Sequence, residues 1–192
     1  VRRLYTVLAA ADTVLALTGR EQARRVTKPL LMPTLMRGHE RRVQRALVLG
    51  TAGDVALLGK GELAFMAGLG SFLAGHVAWM AALRPRSQGA ATPAKATPYL
   101  LAWAGLNAYL WPRTGRDRLP VLVYSTALLG TALAALDTGD AGTTAGGVLF
   151  LASDALLALE RFGDVELPGH EGLVMASYTA GQALLAGTAT PS

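Results

Sequence analysis

Cysteine is absent from this chain, so no disulfide and no thiolate metal site can form. Histidine is scarce, and His39, His76 and His170 show no metal-ligand spacing. Gly-rich phosphate loops, an HExxH helix and a G-x-S-x-G elbow are all missing, so neither a nucleotide enzyme nor a serine hydrolase is indicated. Charge is thin as well, at 16% of residues. Although the net charge is +5, the basic residues sit at the ends of apolar stretches and not along one polar face, which argues against nucleic acid as a partner. The first apolar stretch has no small-residue cleavage site and further apolar stretches follow it, so a cleavable leader is not expected.

What the chain does have is apolar length. Hydrophobic residues make up 52% of it and the mean hydropathy is +0.35, values that point to a membrane protein. Clusters such as "RGHERRVQR" and "RTGRDR" punctuate apolar stretches of roughly 16 to 22 residues, about the length that crosses a hydrocarbon core. Arginine outnumbers lysine fifteen to three, and with the abundant Ala and Gly this is the composition of a GC-rich bacterial genome. The expectation is an all-α, multi-pass protein of a bacterial inner membrane, one transmembrane helical domain over residues 1–192.

Apolar periodicity and breakers predict eight helices, over 3–18, 26–38, 43–59, 63–83, 96–112, 119–137, 143–161 and 170–188. The second is odd. Only eleven residues separate Arg25 from Arg37, and a helix of that length rises about 17 Å, too short to span. Either its charged ends are pulled inward or the segment is re-entrant, and both place Lys28 near the bilayer interior. Pro29 and Pro33 would free backbone carbonyls there. Charge does not orient the bundle, because an N-terminus inside leaves nine of the eighteen basic residues on each side.

Two carboxylates lie inside apolar helices: Asp54 in "LGTAGDVALLG" and Asp154 in "LFLASDALLALERF". An Asp near mid-span costs roughly 2.5 to 3.5 kcal/mol on insertion scales, so both are candidate functional residues, with hydrogen bonding to a neighbouring helix as the plainer role. Each helix is followed by one beginning Gly-Leu, a pattern consistent with a parallel four-plus-four internal repeat. Should the two acids face each other, repulsion and desolvation leave one proton between them, which makes a general acid beside a carboxylate. Asp12 is a third such acid, nearer a span end.

Other polar residues on apolar faces are His76, Tyr124, Asn107, and the i, i+4 pair Tyr178 and Gln182. Each is either packing glue or a substrate contact.

Four stretches occur in order: "TKPLLMP" at 27–33, "GDVALL" at 53–58 followed by "FLAGHVAW" at 72–79, "LFLASDALLALERF" at 149–162, and "SYTAGQALL" at 177–185. Together they resemble the YhhN family of integral membrane proteins, whose animal members include lysoplasmalogenase. Trp79 departs from the Tyr expected after "GHVA". The resemblance implies an eight-helix bundle with cytoplasmic termini, and hydrolysis of the vinyl ether of a lysoplasmalogen to a fatty aldehyde and a glycerophospho-headgroup. Asp54 and Asp154 would supply acid and base without metal or organic cofactor. Lys28 would hold the lipid phosphate, and His76, Tyr124, Tyr178 and Gln182 would contact substrate or water. The expected partners are a lysophospholipid and the surrounding membrane lipids.

Two other classes compete. Buried acids on a repeat also suit a proton-coupled transporter. An intramembrane aspartyl protease fits poorly, since Ala52-Gly53-Asp54 and Ser153-Asp154 lack the Gly-x-Gly-Asp and Tyr-Asp pattern of that class.

Overall fold

The computed structural model describes residues 2–163, 165 and 168–187, and these form eight α-helices with no strand among them. They are α1 (Arg2–Leu17), α2 (Glu21–Met36), α3 (Arg41–Ala56), α4 (Glu62–Leu83), α5 (Pro93–Leu110), α6 (Arg118–Asp137), α7 (Ala141–Gly163) and α8 (His170–Ala186). Helix ends agree with the sequence expectation to within a few residues, except at the start of α2; residue 188 of the expected last helix lies outside the described residues.

Seven helices close a ring in which α1, α2, α3, α4, α6, α7 and α8 each pack on the next and α8 returns to α1. Tyr5 fastens that closure by donating a 2.7 Å hydrogen bond to the carbonyl of Thr179. Helix α5 stands outside the ring, against α6 and α7, whereas α1, its counterpart in a four-plus-four scheme, lies within it.

The ring has apolar side chains on its outside as well as in its core, and polar groups set among the core. Leu63, Leu101, Val7, Val14 and Val123 are exposed, while Asp12, Asp54, His76, Thr131 and Gln182 are buried. Segments Glu62–Arg86, Gly115–Asp137 and Ala141–Gly163 are long and apolar enough to cross a membrane. With a lipid-like exterior and polar groups inside, the chain is a membrane protein.

Small residues set the helix spacing. A Cβ on Gly146 would sit 2.7 Å from the Leu185 backbone nitrogen, and one on Gly181 would sit 3.0 Å from that of Phe150, so α7 and α8 meet almost backbone to backbone. Asp140 starts α7 by accepting the Thr143 N–H at 2.7 Å, the N-cap geometry that Asp favours. Hydrogen bonds from the Thr143 hydroxyl and N–H, with Arg86 nearby, hold the Asp140 carboxyl below the usual carboxylate range.

The second helix differs from the sequence expectation. It begins at Glu21, five residues early, and runs through both Pro29 and Pro33. Arg24 explains the extra turn: it is 8% exposed, donates to Glu171 Oε2 at 2.7 Å, and lies 3.8 Å from Asp12 Oδ2. Arg25, the charge that reads as the boundary of the span, is exposed, while the adjacent Arg24 is neutralised inside the bundle.

Candidate active site

Asp54 lies in the last turn of α3 and is 3% exposed. Tyr178 of α8 donates a 2.8 Å hydrogen bond to its Oδ2, and Lys28 Nζ of α2 lies 3.4 Å from its Oδ1. Gly50, one turn earlier on α3, makes room for this approach, since a Cβ there would meet the Tyr178 hydroxyl at 3.4 Å and Gln182 Nε2 at 3.6 Å.

Asp154, on α7, has a parallel arrangement. Tyr124 of α6 donates a short hydrogen bond to its Oδ2, and His76 Nε2 of α4 lies 3.8 Å from the same oxygen. His76 also bonds the Tyr124 hydroxyl at 3.2 Å through Nε2 and the Thr131 hydroxyl at 3.1 Å through Nδ1. Each carboxylate therefore has one tyrosine and one basic side chain, drawn from different helices.

The two sets are neighbours. The Phe150 ring lies tilted 4.8 Å from the His76 ring and edge-on 5.5 Å from the Tyr178 ring, so a single aromatic side chain lies between the partners of one acid and those of the other. The structure thus brings Asp54, Asp154, Lys28, His76, Tyr124 and Tyr178 into one region, in which Asp54, His76 and Tyr178 are buried and the other three half-buried. Gln182 is 1% exposed and packs against Gly50.

Two clefts meet beside this region. The first is apolar and enclosed by α4, α5, α6 and α7, with Leu69, Phe72, Leu106, Leu110 and Leu128 on its walls and Asp154 and Tyr124 on its lining. The second carries the charged side chains of Arg24, Lys28, Glu160 and Glu171, with His170, among apolar walls that include Val174 and Met175. Leu57, Phe65, Leu157 and Arg161 belong to both. The Arg161 guanidinium lies 3.6 Å from the Phe65 ring centroid, a cation–π contact that fixes a positive charge where the clefts join. Of the site residues, Asp154, Tyr124 and Lys28 line the clefts, whereas Asp54, His76, Tyr178 and Gln182 do not; Asp54 sits behind Lys28, and His76 behind Asp154 and Tyr124.

Sequence reasoning missed Arg161, Thr131 and Arg24. Helical spacing could have found them: Arg161 is seven residues after Asp154, Thr131 seven after Tyr124, and Arg24 four before Lys28. In the same neighbourhood, Thr27 donates a short hydrogen bond to Asp12, which makes that third acid part of the α1–α2 contact.

Fold and site define a membrane-embedded helical protein with one buried and one half-buried carboxylate beside two joined clefts, one apolar and one bearing charged side chains. The YhhN family profile matches residues 6–189, and the chain belongs to that family. It is 35% identical over 161 residues to proteins named lysoplasmalogenase from Mycobacterium bovis and from Mycobacterium tuberculosis. That match takes in 77% of this chain but 60% of each relative, less than two thirds of their length. No solved structure matches the chain significantly.

Proposed function

We propose that this protein hydrolyses the vinyl ether bond of a lysophospholipid, with Asp154 as general acid and Asp54 as the carboxylate that stabilises the cation and activates water. The observation that carries this reading is the junction of an apolar cleft lined by Asp154 with a charge-bearing cleft lined by Lys28, the ion-pair partner of Asp54. A single-chain lipid fits this pair: its chain suits the apolar cleft, and its phosphate suits Lys28 and Arg161 in the charge-bearing one. The relatives' name points the same way.

Substrate polarity assigns the roles. In –O–CH=CH–R the carbon that must be protonated lies toward the chain, and Asp154 is the acid that lines the apolar cleft. The carbon that water attacks lies toward the ether oxygen and the headgroup, the side of Lys28, whose ion-pair partner is Asp54. Asp154 gives its proton to the β-carbon, and an oxocarbenium ion forms at the α-carbon. Water adds to that carbon as Asp54 takes its proton, giving a hemiacetal. Asp54 then returns a proton to the departing glycerol oxygen while Asp154 removes the hemiacetal hydroxyl proton. Aldehyde and alcohol result, and both acids regain their starting states.

In this scheme Tyr124 and His76 hold Asp154 in position and Thr131 fixes the His76 ring, while Tyr178 and Lys28 do the same for Asp54. The test is to incubate pure protein in detergent with lysolipids carrying vinyl ether, alkyl ether or ester links. Free aldehyde from the vinyl ether alone, with no ion gradient, supports the reading. Substrate movement confined to sealed vesicles, without aldehyde, would establish the transporter alternative.

A further inference from the structure

The active-site clefts lie where α3 ends and α4 begins. At the opposite end of the same helix pair is a groove that the proposed reaction does not use. Arg42, Arg45 and Arg84 line it with Ala78, Met80 and Ala81. An adjoining cleft shares Arg45 and Ala78 and adds Arg41, Gln44, Val48 and Leu49. Four guanidinium groups and no carboxylate line this continuous surface. All four are exposed, and among the described residues none of them has a hydrogen-bonding or ion-pair partner.

This differs from the way the bundle treats its other cations near clefts. Arg24 pairs with Glu171, Lys28 with Asp54, Arg86 with Thr143, and Arg161 stacks on Phe65. Arg41 and Arg42 stand in the first turn of α3, at the positive end of its dipole, so the helix does not offset their charge. Gathering unpaired like charges in one groove is unfavourable until an anion occupies it.

The apolar half of the groove limits what that anion is. Below the arginines run Val48, Leu49 and Ala78, and Val48 is 52% exposed. The α4 side is walled by alanines, on a helix long and apolar enough to cross the membrane. A small phosphate would satisfy the arginines and leave this strip bare, whereas a phospholipid covers both.

We propose that the α3–α4 groove binds an anionic phospholipid, its phosphate held by Arg42, Arg45 and Arg84 and an acyl chain lying along Val48, Leu49 and Ala78. Such a lipid bridges α3 and α4 near the level where Gly75 meets Leu49, Ala46 and Gly50, one turn before Asp54. It therefore braces the helix that carries one of the two acids. The proposal does not depend on the reaction assigned above.

The test compares the wild type with Arg42→Gln/Arg45→Gln/Arg84→Gln and with a charge-matched control, Arg25→Gln/Lys60→Gln/Lys95→Gln, whose residues are exposed elsewhere. Each is placed in phosphatidylcholine discs with and without phosphatidylglycerol, then assayed for retained lipid by native mass spectrometry and for Tm. Wild type and control should retain phosphatidylglycerol selectively and melt higher with it. The groove variant should lose that affinity on the order of 100-fold, given the contribution of each basic residue near an anionic headgroup. Equal retention by all three proteins would overturn the site, as would equal protection by phosphatidylcholine. Inorganic phosphate added in detergent should leave Tm unchanged; protection by phosphate alone would mark a simple anion site. If the groove variant does not fold, Val48→Trp tests the same groove from its apolar half and should also reduce phosphatidylglycerol retention; full retention there would overturn the acyl-chain placement.

Discussion

Lys28 Nζ lies 3.4 Å from Asp54 Oδ1, with the two side chains 15% and 4% exposed, so a lysine that reads as a phosphate anchor is also the counter-ion of a buried acid. Removing one member of such a pair leaves the other charge uncompensated, at a cost of about 3 kcal/mol. Lys28→Gln should lower stability by about that amount and raise KM. Lys28→Gln/Asp54→Asn should recover most of the stability without recovering activity. Thermal unfolding beside aldehyde release checks both, and a stable Lys28→Gln would show that the pair is not coupled.

Tyr124 lines the apolar cleft and donates to Asp154 while receiving His76 from the other side. Tyr124→Phe keeps the ring and removes the donor. The rate constant kcat should fall on the order of 10- to 100-fold with KM little changed. A rise in KM alone would make Tyr124 a substrate contact only.

Leu106 on α5 forms part of the outer wall of the apolar cleft. Leu106→Trp should shorten the space open to the chain and shift preference toward short-chain substrates on the order of tenfold in kcat/KM. An unchanged chain-length profile would place the chain elsewhere.

Gly146 has the Leu185 backbone nitrogen where its Cβ would be, and backbone cannot swing aside as a side chain can. Gly146→Ala should destabilise by about 1 to 3 kcal/mol, while Gly70→Ala, with open space around it, should be close to neutral or stabilising. Melting curves of the two proteins make the comparison.

The eight helices were legible because apolar length and Gly/Pro/Asp breakers act locally, as at Gly139-Asp140, where φ is +67° and the Asp caps α7. The start of α2 was not legible, because Arg24 is neutralised by Glu171, 147 residues away, and no local pattern encodes that pairing. The acids stood out for the same reason the helices did: a charge in an apolar run is costly. Tyr124 stood out as a polar group on an apolar face, but its pairing with Asp154 did not, and Thr131 and Arg161, though at helical spacing from Tyr124 and Asp154, take on roles only through contacts with His76 and Phe65 on another helix. The displacement of α5 from the ring was also hidden, since it follows from packing on α6 and α7 that no local pattern encodes.

The central claim is that Asp54 and Asp154 act as one unit, and the rate of aldehyde release from a lyso-vinyl-ether lipid by Asp54→Asn, Asp154→Asn and the double variant measures it. Each single variant should fold and lose on the order of 100-fold or more in kcat, with the double variant little worse than the poorer single. Small losses that multiply in the double variant, or near-normal turnover by either single, would contradict the account.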